Sequence, residues 1–247
     1  MRCHLVQCEG FETAMLAAML SFGKTSFDDF TTDQIRPEIK ERFKPLSEQL
    51  VLAGAGHDKF LESIQYWIIV QAPLYMWKQI DTYRHATKLS ESTMHRSWKN
   101  GLTPDMFSQI VYHETLERLN ANIREYQSTL TTTERKKTLF GLIVGNLPDS
   151  YLQTRMICLN AKTLRNMYLQ RKDHKLEEWR DFCRWLKTLP HGDLISLERK
   201  EIETTEDRQR AHSEITRLKS ENKKLRHEIY TLKSAVRKHK RERKIDG

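Results

Sequence analysis

The sequence predicts an α+β fold in which helix dominates, closed by a C-terminal parallel coiled coil. Three observations carry this reading. Short apolar segments of strand length stand near the N-terminus (CHLVQCE) and from Tyr151 onward (YLQTRMICLN). They alternate with longer stretches whose apolar residues recur at helical spacing. The end of the chain replaces both patterns with a heptad seam. Residues 1–200 are therefore read as one globular domain, 201–240 as a coiled coil and 241–247 as a basic tail. No internal repeat or long low-complexity linker interrupts them.

Taken in order, CHLVQCE is an edge strand, and FETAMLAAMLSFGK is a helix with Met15, Leu16, Met19 and Leu20 on one side. A Gly-His-Asp turn at Gly56 leads into a long apolar run of core character, closed by Arg84 and His85 and a cluster of small hydroxyl residues. Residues 106–126 place Phe107, Ile110, Val111, Leu116, Leu119, Ile123 and Tyr126 at helical spacing, which predicts a helix. Thr131 to Thr133 offer N-cap oxygens for another helix through LFGLIV, ended by Pro148. YLQTRMICLN is a strand. AKTLRNMYLQR and KLEEWRDFCRWLKTL are helices split near Asp173, with Trp179 and Trp185 packing the last of them.

In the tail, Ile215, Leu218, Asn222, Leu225, Ile229, Leu232 and Val236 alternate at spacings of three and four. Ile, Asn, Ile and Val occupy a and Leu occupies d, a pattern that favours two parallel strands, with the Asn setting register. Glu214 with Lys219, Glu221 with Arg226 and Glu228 with Lys233 set a g acid against the next e base of a partner helix. The chain is thus expected to bind itself. The following RKHKRERK run is a solvated end or a contact to a nucleic-acid backbone.

Composition narrows the function classes. The 247 residues carry a net charge of +9, but from Glu206 onward there are 14 Lys and Arg against 7 Asp and Glu, so +7 belongs to the tail. A basic nucleic-acid groove in the globular domain is not indicated. No stretch approaches the roughly 20 apolar residues of a membrane span, and the N-terminus lacks a secretory pattern. Cys3, Cys8, Cys158 and Cys183 form no CxxC pair, so reduced thiols in a cytoplasmic protein are expected, with no metal site. P-loop, nucleophilic-triad and HExxH patterns are absent.

What remains is a set of polar residues at the borders of apolar segments. Gly56, His57 and Glu62 form a Gly-His turn followed by an acid, then come Ala72-Pro73, Lys78-Gln79 and Arg84-His85-Ala86. Glu91, Thr93 and His95 follow, with Ser92 in the hydroxyl position if the alignment slips by one. A second block reads Leu147-Pro148, Asn160-Ala161-Lys162-Thr163-Leu164, Asn166 and Arg171. Together these resemble the flavin-dependent thymidylate synthases over Met1 to Leu197, in a divergent, phage-type form with an added zipper.

The resemblance implies a helix-rich α+β core, a homotetramer with each active site built from several subunits, and FAD as cofactor. It implies C5 methylation or hydroxymethylation of a pyrimidine deoxynucleotide, most simply dUMP to dTMP, with NADPH and methylenetetrahydrofolate as co-substrates. By carry-over, His57, Arg84, His85, Asn160, Lys162 and Asn166 contact flavin. Gln79, Arg84, Glu91, Ser92 or Thr93, His95 and Arg171 surround the nucleotide, with Arg84, Thr93 and Arg171 nearest the chemistry. Arginine suits phosphate and pyrimidine oxygens because its planar fork donates two parallel hydrogen bonds. The amides present a donor and an acceptor to a ring edge.

Three positions depart from the family: Ala86 and Val144 stand where arginines are expected, and His95 replaces a third. Lys88 or Arg96 could compensate. Plainer readings compete with each assignment: His57 as a helix cap, His85 as a core histidine, Arg171 as an ion-pair partner of Glu177 or Glu178. An alternative to the enzyme is a non-catalytic family member acting as an oligomeric binding protein, for nucleic acid among other partners, through zipper and tail.

Overall fold

The computed structural model describes residues 1–32, 34–94, 98–198 and 212–229. They fall in two units, Met1–Glu198 and Arg199–Gly247. His95, Arg96, the heptad positions beyond Ile229 and the basic tail lie outside the described residues.

The first unit is built on an antiparallel sheet of β1 (Arg2–Glu9), β2 (Gln65–Pro73), β3 (Ala86–Ser90) and β4 (Leu152–Asn160), in the order β1-β2-β4-β3. β1 is an edge strand, as its short alternating sequence predicts, and a bulge between Leu5 and Gln7 breaks its register. In β2 the alternation sends Tyr66, Ile68, Val70 and Ala72 inward, all fully buried. Ile157 and Leu159 of β4 pair with Ile68 and Tyr66 and share that face.

Helices cover this face: α1 (Phe11–Leu20), α2 (Pro37–Lys40), α3 (Phe43–Ala53), α4 (Leu74–Ile80), α7 (Ala161–Arg171), α8 (Glu177–Leu186) and α9 (Gly192–Ser196). Gly10 turns β1 into α1 at φ +95; a Cβ there would stand 2.4 Å from the Ser63 carbonyl oxygen, so only glycine fits. The buried guanidinium of Arg165 donates through Nη1 to the carbonyls of Leu194, Ile195 and Leu197 at 3.1, 3.2 and 2.5 Å. It thereby satisfies the end of α9, where helical carbonyls have no internal partner.

A hairpin of α5 (His113–Gln127) and α6 (Thr133–Gly145) encloses a smaller core with Trp98, Leu102, Phe107 and Tyr151. The N-cap of α6 is Thr132, whose hydroxyl accepts from Arg135 N at 3.3 Å. The helix expected over 106–126 begins only at His113. Phe107 instead bridges Tyr151 in antiparallel fashion, and Ile110 is fully exposed. Among the described residues no helix is long and apolar enough to cross a membrane.

Candidate functional site

α7 organises the polar residues because both of its ends carry them. At its start, Asn160 is the N-cap, its Oδ1 accepting from Thr163 N at 2.8 Å and from Thr163 Oγ1 at 3.0 Å. The Asn160 amide therefore serves the helix first and reaches a ligand only through Nδ2. The 3₁₀ helix His57–Ser63 lies alongside: Ala161 N donates to Ile64 O at 2.9 Å, and Lys162 Nζ pairs with Asp58 Oδ2. The Asp58 side chain is only 7% exposed against 27% for Lys162, and its other oxygen, Oδ1, is buried without a hydrogen-bond partner among the described residues. On the other flank the His85 carbonyl sits 3.5 Å from Thr163 Oγ1. Segments carrying His57, His85, Asn160 and Lys162 thus meet around one helix N-terminus, whose dipole adds positive potential.

Asn166, Arg84, His57 and His85 are exposed, and their side chains make no hydrogen bond or ion pair among the described residues. The plainer readings fail for the histidines. Gly56, not His57, occupies the N-cap position, and His85 lies in solvent ahead of β3.

At the other end of α7, roughly 15 Å away at 1.5 Å per residue, Arg171 lies over the indole of Trp179, with its guanidinium carbon 5.1 Å from the ring centre. Its Nε donates to Tyr83 Oη at 3.2 Å, and that hydroxyl donates to Gln170 Oε1 at 2.9 Å. Trp179, fully buried, donates from Nε1 to Gln79 Oε1 at 2.9 Å. Gln79 Nε2 and both terminal nitrogens of Arg171 have no partner among the described residues. Nor does Arg171 pair with the two acids the sequence offers. Glu177 is held by Arg180 and Arg184, and Glu178 accepts from Tyr75 Oη. His174 packs edge-on to Trp179 at 6.3 Å and accepts from Leu176 N at Nδ1. Burial, then the positive charges of Arg171, Lys175 and Arg180, hold it below the ordinary imidazole range.

Glu91, Ser92 and Thr93 stand apart, at the far end of β3. Glu91 Oε2 accepts from Thr154 N at 3.2 Å, and its carbonyl accepts from Gln153 Nε2 at 2.7 Å, so this acid anchors the loop to β4. Ser92 Oγ accepts from Met94 N at 3.3 Å, and Thr93 is half-buried. From the His85 end of β3 this loop is about 17 Å away at 3.4 Å per residue. The expected residues thus fall at the two ends of α7 and on the loop after β3, and β3 separates that loop from His85. Lys88 does not offer a free charge near them. Its ammonium lies 3.3 Å from Asp81, which also receives Arg155 at 3.1 Å, and Arg155 stacks over Trp77 at 4.5 Å. Val144 lies exposed on α6, and Ala86 packs against the core.

Sequence reasoning missed Trp179, Tyr83 and Asp58. For Trp179 a signal existed, since a tryptophan on a buried helix face usually finds an acceptor for its N–H. Asp58 and Tyr83 gave none beyond adjacency to His57 and Arg84.

No protein-family model and no curated protein sequence matches this chain. Among solved structures it is similar in fold to the flavin-dependent thymidylate synthase ThyX of Helicobacter pylori, complexed with FAD and dUMP. The TM-score is 0.56 at 15% identity, covering 80% of this chain and 98% of that one. It is also similar to a UMP/dUMP methylase from Streptomyces cacaoi bound with 5-Br dUMP, with a TM-score of 0.51 at 16% identity over 76% and 88% of the two chains. At such identity the likeness is one of fold.

Proposed function

We propose that this chain is a flavin-dependent enzyme that transfers one carbon to C5 of a pyrimidine deoxynucleotide, most simply converting dUMP to dTMP. The observation that carries the reading is the pair formed by Arg171 and Gln79. Both are anchored by Trp179, and both keep outward donors that have no partner among the described residues, in a fold shared with dUMP-modifying enzymes. A guanidinium that is half-buried, stacked and without an acid partner is suited to an anion or a pyrimidine carbonyl. Gln79 Nε2 offers a second donor to the base edge.

The residues present also fit FAD. Its diphosphate and ring edges call for cations and amides; Arg84, His57 and Lys162 supply cations on the segments that meet at the start of α7, and Asn166 an amide further along the helix. The orphaned Asp58 oxygen suits a ligand N–H or hydroxyl. When bound, the flavin supplies hydride transfer. The chain's own work is to hold nucleotide and cofactor in contact and to exclude water. Because β3 separates Glu91, Ser92 and Thr93 from His85 and the start of α7, a complete site on this reading joins groups from neighbouring subunits, as in a homotetramer.

Methylenetetrahydrofolate and NADPH are the co-substrates of this reading. The transferred carbon arrives at the formaldehyde level and needs one hydride to leave as methyl, so dTMP formation consumes one NADPH. Capture of water at the same carbon gives the hydroxymethyl product and consumes none. An assay that follows both products and NADPH oxidation with dUMP and the folate therefore decides between them. Formation of neither, with dUMP still bound, would leave the non-catalytic binding protein as the correct reading.

A further inference from the structure

Residues 212–229 form a helix whose large apolar side chains fall on one stripe. Ile215, Leu218, Leu225 and Ile229 are 50, 50, 52 and 50% exposed, with Asn222 midway among them. Most helices in proteins owe their stability to packing of such a stripe rather than to intrinsic propensity. We infer that a second copy of this chain covers the stripe, parallel and in register, to make a two-stranded coiled coil.

The flanking charges identify the occupant. In a parallel pair of identical helices each g residue faces the e residue five positions later on the partner. Here that sets Glu214 against Lys219 and Glu221 against Arg226, and symmetry repeats both contacts on the other side of the seam. In an antiparallel pair g faces g and e faces e, so Glu214 and Glu221 would meet acids while Lys219 and Arg226 would meet bases. The sequence therefore favours its own copy and one orientation. The seam agrees on number: Ile at a with Leu at d selects two strands, and the central Asn222 fixes the register because, buried in the seam, its amide pairs with its twin.

In the single helix these polar groups have local partners. Arg226 Nε donates to Asn222 Oδ1 at 3.2 Å, and Arg217 Nη2 donates to Glu214 Oε1 at 2.8 Å. Pairing hands Arg226 from Asn222 to the partner's g acid and leaves the two asparagines to bond each other. Two globular units are then tethered from the same end, which raises their effective concentration for one another.

The test uses the full-length Ile215→Cys chain under mild oxidation, with tryptic peptides read by mass spectrometry so that the native cysteines are distinguished. The expected product is a disulfide joining position 215 of two chains. Adding Glu214→Lys and Glu221→Lys should cut its yield on the order of tenfold by like-charge repulsion across the seam. Mixing that variant with one carrying Ile215→Cys, Lys219→Glu and Arg226→Glu should restore it. Failure to form the 215–215 disulfide, or a yield indifferent to both charge changes, overturns the proposal.

Discussion

The indole N–H of Trp179 donates to Oε1 of Gln79 at 2.9 Å, so a fully buried aromatic on α8 sets the direction of an amide on α4. With its Oε1 held, Gln79 must present Nε2 outward. The same ring carries Arg171, so one side chain orients both donors of the proposed nucleotide site.

Trp179→Phe separates these roles. The ring under Arg171 survives in smaller form, while Gln79 loses its donor and can flip. We expect a stability loss of about 1–3 kcal/mol from the smaller ring and the orphaned amide. We also expect dUMP affinity to fall by about tenfold, the equivalent of one neutral hydrogen bond. Urea denaturation and calorimetry measure the two separately, and an unchanged affinity would show that Gln79 does not read the nucleotide.

Arg171→Ala should abolish dUMP binding and leave the fold intact, because the side chain supports no other element beyond Tyr83 and the face of Trp179. Arg171→Lys should not rescue it, since an ammonium neither stacks flat on the indole nor donates as a fork. Calorimetry with full affinity in either variant would remove Arg171 from the site.

The ion pair between Asp58 and Lys162 predicts an asymmetry. Asp58 is almost enclosed and already has one oxygen without a donor among the described residues, whereas Lys162 can turn toward water. Lys162→Met leaves a buried carboxylate with no partner and should cost about 3 kcal/mol or more. Asp58→Asn removes the buried charge and should cost less. Equal losses in chemical denaturation would contradict this account of the pair.

His191 gives the expected pH response. It adopts a left-handed conformation at φ 57, stacks on Phe11 with ring centres 3.8 Å apart, and is held below the ordinary imidazole range by burial, opposed in part by Asp193. A depressed histidine binds its proton more readily when unfolded. Stability is therefore full above the unfolded value near 6.5 and falls as pH drops below it. His191→Asn, which tolerates the left-handed backbone, should flatten the decline in Tm between pH 7 and pH 5. An equally steep decline in the variant would place the response elsewhere.

How far the sequence reads through to the structure depends on how local the determinants are. α7 spans the segment read as a helix because Asn160 caps it and β4 ends there by alternation; neither needs a distant partner. The helix over 106–126 misled because Phe107, Ile110 and Val111 fall at helical spacing by coincidence. A bridge to Tyr151, 44 residues further along the same chain, claims Phe107, and no local pattern reveals that bridge. Residue types and order drew out Arg171, Gln79 and Lys162 as site candidates. The arrangement did not follow from them. Glu91, expected beside the nucleotide, also accepts from Thr154 N, a contact set by the register of β3 on β4 that no local pattern announces.

The central claim is that this chain binds flavin and a pyrimidine deoxynucleotide together. An absorbance spectrum of the purified protein, before and after FAD and with dUMP titrated in, tests it most directly. The account predicts bound-flavin bands that shift on adding dUMP and fail to shift in Arg171→Ala. Protein that takes up no FAD, or flavin bands indifferent to dUMP, would contradict it.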